Sequence, residues 1–239
     1  MFTDFHSHIL PGIDDGSASV EESIKLLEIS AEQGIERIVA TPHFYANHDS
    51  PEKFLEKRKK AKALLEEAVK GREDLPEIEI GAEVHFFRGI SHSDFLPELT
   101  MADKKFILIE MPDSEWTDGM FSELEDIYYQ RGITPIIAHM DRYISPFRTR
   151  KIPEKFAKMP VLVQANASFF LQGGLTSRLA LKLLKEDKIQ LLGSDCHNLT
   201  KRPPKLGFAA EIIEKKLGKE FLERIDRYGE NIFMINKKL

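Results

Sequence analysis

Five of the eight histidines in this chain stand where an extended run gives way to a loop. They are His6 and His8 in Phe5-His6-Ser7-His8, His43 after Thr41-Pro42, His139 after Ala138, and His197 in Ser194-Asp195-Cys196-His197. Acids fall at comparable places: Asp14-Asp15-Gly16 in the first loop, then Glu83, Glu110 and Asp195. Imidazole nitrogen with carboxylate oxygen, and no thiolate, is a donor set for Mn²⁺, Fe²⁺ or Zn²⁺ in a catalytic site; a closed structural zinc site would use cysteine. Residues i and i+2 of an extended segment point the same way. His6 with His8, and Asp195 with His197, therefore aim at one place, while Ser7 and Cys196 point away. Several carboxylates allow bridging between two or more ions. Adjacent divalent ions lower the pKa of a shared water toward neutrality and supply hydroxide without a protein general base, which is the chemistry of phosphate-ester hydrolysis.

These donors span about 190 positions, so the chemistry requires a fold that gathers distant strand ends. The hydropathy pattern supplies one. Short β-branched runs alternate with amphipathic helical stretches throughout, as in an α/β fold with a largely parallel sheet. The strand candidates are Phe2 to Phe5, Ile35 to Ala40, Ile78 to Val84, Phe106 to Met111, Ile133 to His139, Val161 to Ala165 and Ile189 to Gly193. In a parallel barrel the C-terminal strand ends share one rim, and nearly every candidate ends in a metal-binding residue. Ser19 with Glu22 reads as a capping box opening a helix whose buried stripe is Ile24, Leu27 and Ala31, and Gly34 supplies its left-handed stop. A long charged helix begins near Pro51; its basic run, Lys57 to Lys62, alternates with Glu and reads as a solvated face. Seven strands are one short of a regular (β/α)8 barrel. The segment Phe86 to Asp103 reads as a rim loop with no assigned role.

Composition narrows the setting. The chain has 239 residues, 42% of them apolar and 31% charged, enough for one barrel-sized domain over residues 1–239. No apolar run is long enough to span a membrane, and Met1-Phe2-Thr3-Asp4 lacks the basic-then-apolar pattern of a secretion signal. One cysteine excludes an intramolecular disulfide framework and fits a reducing, cytoplasmic setting. A net charge of −5 argues against nucleic acid as a partner.

The ordered set Asp4-Phe5-His6-Ser7-His8, Asp14-Asp15-Gly16, Ala40-Thr41-Pro42-His43, Glu83, Glu110, Ala138-His139 and Ser194-Asp195-Cys196-His197 resembles the polymerase-and-histidinol-phosphatase (PHP) superfamily. Within it the chain is similar to the bacterial manganese-dependent tyrosine-protein phosphatases of the capsular and exopolysaccharide type. The resemblance implies a distorted seven-stranded (β/α)7 TIM-like barrel, which accounts for the strand count. It also implies three divalent ions, Mn²⁺ in first place with Fe or Zn as alternatives. His6, His8, Glu83 and Asp195 would hold the first ion, Glu83, Glu110 and His139 the second, and Asp15, His43 and His197 the third. Arg142 and Arg202 would bind phosphate. The implied partner is a phosphotyrosine-bearing protein, a bacterial tyrosine kinase tail. Asp141 stands where relatives often carry Glu.

Other readings compete with this one. The same site in a sister group hydrolyses histidinol phosphate; an enclosed pocket with an acid for the substrate amine would favour it, and an open rim would favour a peptide. A PHP-type nuclease needs a basic, aromatic groove that the sequence lacks. A non-catalytic phospho-binding module has no need of a complete ligand set. An amidohydrolase would need a strand-end lysine to bridge its metals, and none is placed there. Cys196 lacks the glycine-arginine loop of cysteine phosphatases and reads as packing, and His85 reads as an ordinary rim residue beside better-placed donors.

Overall fold

The computed structural model describes residues 2–146 and 151–234, so residues 147–150 and the two ends of the expected 1–239 domain lie outside the described residues. Strands and helices alternate: β1 Thr3–Ser7, α1 Val20–Glu32, β2 Arg37–Ala40, β3 His43–Phe44, α2 Pro51–Ala68, β4 Glu77–Ile80, β5 Glu83–His85, β6 Phe106–Glu110, α3 Asp118–Arg131 and β7 Thr134–Ile137. There follow α4 Ile152–Phe156, β8 Leu162–Asn166, α5 Ala167–Leu171, α6 Gly174–Lys185, β9 Leu191–Gly193, α7 Leu206–Leu217 and α8 Lys219–Met234. The strands form two sheets, β1-β2-β4 and β3-β5-β6-β7-β8-β9, with parallel neighbours throughout.

β2 and β3 are halves of one interrupted strand, and so are β4 and β5, which brings the circuit to the expected seven. Pro42 causes the first break because it has no N–H to donate to a ladder. Its carbonyl and that of Thr41 accept instead from the Glu83 N–H, at 3.0 and 3.3 Å. The sheet curls until its ends meet: Asp195 N–H donates to the His6 carbonyl at 2.8 Å and His8 N–H to the Cys196 carbonyl at 2.9 Å. Phe5, Val39, Leu108, Ile136 and Leu191 fill the floor of the barrel, with Ile232 of α8 packed against them. Each such side chain contributes roughly 1.5–3 kcal/mol by leaving water.

Polarity inside the barrel rises toward its C-terminal mouth. Along β8 the inward residues are Leu162, then Gln164, then Asn166, because alternate residues share a face. Register does the same elsewhere: His43 lies beside Glu83, and His85 beside Glu110. β1 departs from simple alternation. Three steps from Asp4 to Ser7 face only two from Ile38 to Ala40, so β1 carries one extra residue. That bulge lets Phe5 join the floor while the next residue, His6, also turns inward. The Asp4 carboxylate ties it down, accepting from the His6 N–H at 3.1 Å and the Ser194 N–H at 2.8 Å. Gly193 makes room, since a Cβ there would sit 2.6 Å from His6 Cβ.

Two local expectations are corrected. The buried face of α1 is Ser23, Leu26, Leu27 and Ser30, with Ile24 and Ala31 only partly buried. The two serines tolerate burial because their hydroxyls donate to carbonyls four residues back, Ser23 to Ser19 at 3.1 Å and Ser30 to Leu26 at 2.9 Å. The segment Phe86 to Asp103 is the crossover between β5 and β6. Ile90, Leu96 and Leu99 are fully buried in it, and Glu123 of α3 accepts from the Gly89 and Ser91 N–H groups.

Candidate metal centre

The barrel mouth gathers every expected donor. Glu83 stands at its centre. Its Oε2 lies 3.2 Å from His6 Nε2, 3.4 Å from His8 Nε2 and 2.8 Å from His43 Nδ1, while Oε1 lies 2.7 Å from His139 Nε2. Asp195 Oδ1 is 3.6 Å from His6 Nε2 and 3.5 Å from His8 Nε2. Glu110 Oε1 approaches His139 Nε2 at 3.3 Å. On the open side, Asp15 Oδ1 faces His43 Nε2 at 3.3 Å and His197 Nε2 at 3.5 Å. The groupings His6–His8–Asp195, His8–His43–His197 and His43–Glu83–Glu110 each bring donor atoms within 4.8 Å of one another.

Two donor-bearing strand ends adopt uncommon backbone. His139 has φ of 32° and Asp195 of 53°, left-handed values that non-glycine residues seldom take. Such strain gathers where function requires a side chain to be aimed.

The electrostatics of the cluster call for positive charge. Glu83 Oε2 and Asp195 Oδ1 are buried beside imidazoles, none of which is aligned to give either a well-formed hydrogen bond, an expensive condition for a carboxylate unless a cation compensates. Burial would raise the pKa of Glu83, but His6, His139 and His43 outweigh it and hold it well below the ordinary carboxylate range. Asp195 is likewise depressed, against its burial, by His6 and His8. Burial should lower His8, yet its hydrogen bond to Asp14 and the nearby carboxylates of Asp195 and Glu83 keep it well above its usual value. His139 rises to about 9 against its burial through Glu110 and Glu83, and Glu110 falls to about 2 against its own through His139 and His85. His197 differs, pushed down to about 4 by burial and by the charges of His8 and Arg202. Protons on histidine thus partly meet a demand that a divalent ion meets more fully. The donor set fits such ions.

A surrounding layer orients these donors. His8 Nδ1 is 2.8 Å from Asp14 Oδ2, which also accepts from the His43 N–H at 3.0 Å. Gln164 Oε1 lies 3.3 Å from His6 Nδ1 and accepts from the His139 N–H at 2.7 Å; its amide donates to Asn166, which donates to Asp195 at 2.9 Å. Sequence reasoning passed over Gln164 and Asn166, although two amides spaced by two in an apolar strand were a signal. His85, read as ordinary, holds Glu110 Oε2 at 3.1 Å. The Tyr45 ring centroid lies 5.4 Å from those of both His43 and His85, forming an aromatic wall at the rim. Asp141 is half-buried and accepts from the Asn166 N–H at 2.9 Å, and desolvation raises its pKa.

Arg142 and Arg202 flank the mouth, each side chain 37% exposed. Both reach Asp195 Oδ2, at 3.1 and 2.5 Å, and Arg142 also donates to Glu110 Oε1 at 2.8 Å. Ser7 points outward, donating to the Val39 carbonyl, and Cys196 is fully buried in an apolar cluster with its thiol pKa pushed up by burial. Neither faces the donors.

Comparison with known proteins gives a consistent family. Residues 2–234 match the family described as capsular polysaccharide synthesis, CpsB/CapC. The chain is 33% identical over 227 residues to the tyrosine-protein phosphatase CpsB of Streptococcus agalactiae serotype III, covering 91% of each chain. It is 30% identical over 235 residues to the tyrosine-protein phosphatase YwqE of Bacillus subtilis, covering 91% of this chain and 85% of that one. The fold matches a crystal structure from work on YwqE of B. subtilis and CpsB of Streptococcus pneumoniae, described as metal-dependent tyrosine phosphatases. There the TM-score is 0.84 at 22% identity, over 97% of this chain and 94% of the other.

Proposed function

This chain belongs to the CpsB/CapC family of capsular polysaccharide synthesis, and from that membership and its site we propose that it is a metal-dependent protein-tyrosine phosphatase comprising one domain. The observation that carries the reading is the convergence of His6, His8, Asp15, His43, Glu83, Glu110, His139, Asp195 and His197 at one barrel mouth. They would hold three divalent ions, Mn²⁺ foremost, with Glu83 shared between two. Such ions supply Lewis acidity toward phosphoryl oxygens and lower the pKa of water toward neutrality.

The protein's own groups do the rest. Asp14 and Gln164 fix the imidazoles of His8 and His6 so that Nε2 faces the cluster. Arg142 and Arg202, now turned onto Asp195, swing to the non-bridging oxygens of a bound phosphate monoester, where planar guanidinium groups make paired contacts. A phenolate leaving group, with a reference pKa near about 10, departs with less help from an acid than an alkoxide does. Cys196, buried and with a raised thiol pKa, is unsuited as a nucleophile.

The substrate is a phosphotyrosine side chain on a bacterial tyrosine kinase tail that governs capsule or exopolysaccharide synthesis, in the cytoplasm. The open rim, with Asp15 70% exposed and both arginines accessible, supports a peptide over histidinol phosphate. No described helix is long and apolar enough to cross a membrane. The test is phosphate release from a phosphotyrosine peptide and from histidinol phosphate, side by side with Mn²⁺ and with chelator. Chelator-sensitive preference for the peptide is expected; preference for histidinol phosphate would transfer the chain to the sister activity.

A further inference from the structure

Beside the metal cluster a second cavity of about 170 Å³ opens between the start of α5 and the segment joining β9 to α7. Lys201, Arg202 and Lys205 line it, with Ser168 and Asn166 opposite, and its only acid is Asp195. Asp195 pairs with Arg202 but with neither lysine. It is 4% exposed; its Oδ2 is already engaged by Arg142, Arg202 and Asn166, and its Oδ1 faces His6 and His8. Lys201 and Lys205 are exposed, and among the described residues neither has a carboxylate within ion-pair distance.

The backbone carrying these cations is fixed in advance. The Asn198 side-chain oxygen accepts from the N–H groups of Thr200, Lys201 and Arg202, at 3.2, 2.7 and 3.2 Å. Pro203 and Pro204 follow, and Gln33, just past the end of α1, clamps the next turn, donating to the Pro204 carbonyl at 2.9 Å and accepting from the Gly207 N–H at 3.0 Å. Prolines and a clamped turn lower the ordering cost of binding. Positive charge without a counter-charge, on ordered backbone and sharing a wall with the phosphate-facing Arg202, is suited to a second anion of the same substrate.

We propose that this cavity is a subsite for a carboxylate side chain one or two residues from the phosphotyrosine, so that acidic phosphopeptides are preferred. The inference rests on the phosphatase reading and deepens it. An extended peptide advances about 3.3 Å per residue, so a side chain one or two positions along reaches the neighbouring cavity while the phosphate stays at the metals.

The experiment compares the intact protein with the double variants Lys201→Ala/Lys205→Ala and Lys201→Glu/Lys205→Glu, on p-nitrophenyl phosphate and on phosphotyrosine peptides flanked by Asp/Glu, by Ser/Gln or by Lys. Anisotropy with labelled phosphonate analogues of the peptides reads binding without turnover. The alanine pair should raise KM for the acidic peptide about two- to tenfold and leave p-nitrophenyl phosphate and the neutral peptide unchanged. The glutamate pair should shift preference to the Lys-flanked peptide, and 0.5 M salt should shrink the acidic preference of the intact protein. Equal acidic-to-neutral KM ratios in all three proteins would overturn the subsite while leaving the phosphatase intact. Absence of turnover on every substrate, with lysine-dependent binding of the acidic phosphonate retained, would instead overturn the phosphatase reading and support the subsite.

Discussion

Oδ2 of Asp14 stands 2.8 Å from Nδ1 of His8, and on the other side of the ring Nε2 faces Glu83 and Asp195 at 3.4 and 3.5 Å. A proton kept between Asp14 and Nδ1 leaves Nε2 bare for a metal. Asp14→Ala should therefore lower Mn²⁺ affinity about 10- to 100-fold with the fold unchanged, as read by chelator competition alongside circular dichroism. Unaltered affinity would remove Asp14 from the site.

His8→Ala and Asp195→Ala each delete a donor from the most buried part of the cluster. Turnover should disappear in both while far-ultraviolet circular dichroism stays native. Full activity in either would sink the assignment of these residues as ligands.

Arg202 reaches both Asp195 and His197 Nε2, the latter at 2.9 Å, so its guanidinium already stands at the barrel mouth. Arg202→Ala should reduce kcat/KM for phosphotyrosine peptide about ten- to a hundredfold, chiefly through KM, as expected for losing hydrogen bonds to a charged group. Arg202→Lys should restore little of it, because a point charge cannot reproduce a planar pair of donors. An unchanged KM would contradict the role.

The metal-stripped protein should have a characteristic pH profile of melting temperature. Glu110 falls to about 2 and Glu83 and Asp195 are depressed, so their contribution is present above the unfolded carboxylate range near about 4 and is lost as pH falls toward 2. His139 rises to about 9, so its contribution is complete below about 6.5 and is lost as pH climbs through 9. Stability should peak near pH 5–6 and decline toward pH 9, a decline that bound Mn²⁺ should abolish. A flat profile from pH 6 to 9 without metal would show that these histidines carry no such proton.

The donors were legible because each ends or follows an extended run, and parallel strands bring such ends to one rim. The elements that aim them were less so. The pleat alone predicts opposite faces for Phe5 and His6; only the one-residue bulge, tied by Asp4 to the His6 and Ser194 N–H groups, turns both inward. Asp14 and Asp15 are adjacent acids in one turn, yet the first grips His8 and the second faces His43 and His197, a division no spacing rule distinguishes. Gln164 was hidden in the apolar run Val161 to Ala165, and Asn166 lay one residue past its expected end. The α1 stripe was misplaced because Ser23 and Ser30 satisfy their hydroxyls within the helix and can be buried.

The most direct measurement strips the protein with chelator, returns Mn²⁺ stepwise, and follows both bound metal by elemental analysis and phosphate released from a phosphotyrosine peptide. The account predicts no turnover in the stripped protein and full recovery as binding approaches three ions per chain. Turnover by metal-free protein, or full loading without turnover, would contradict it.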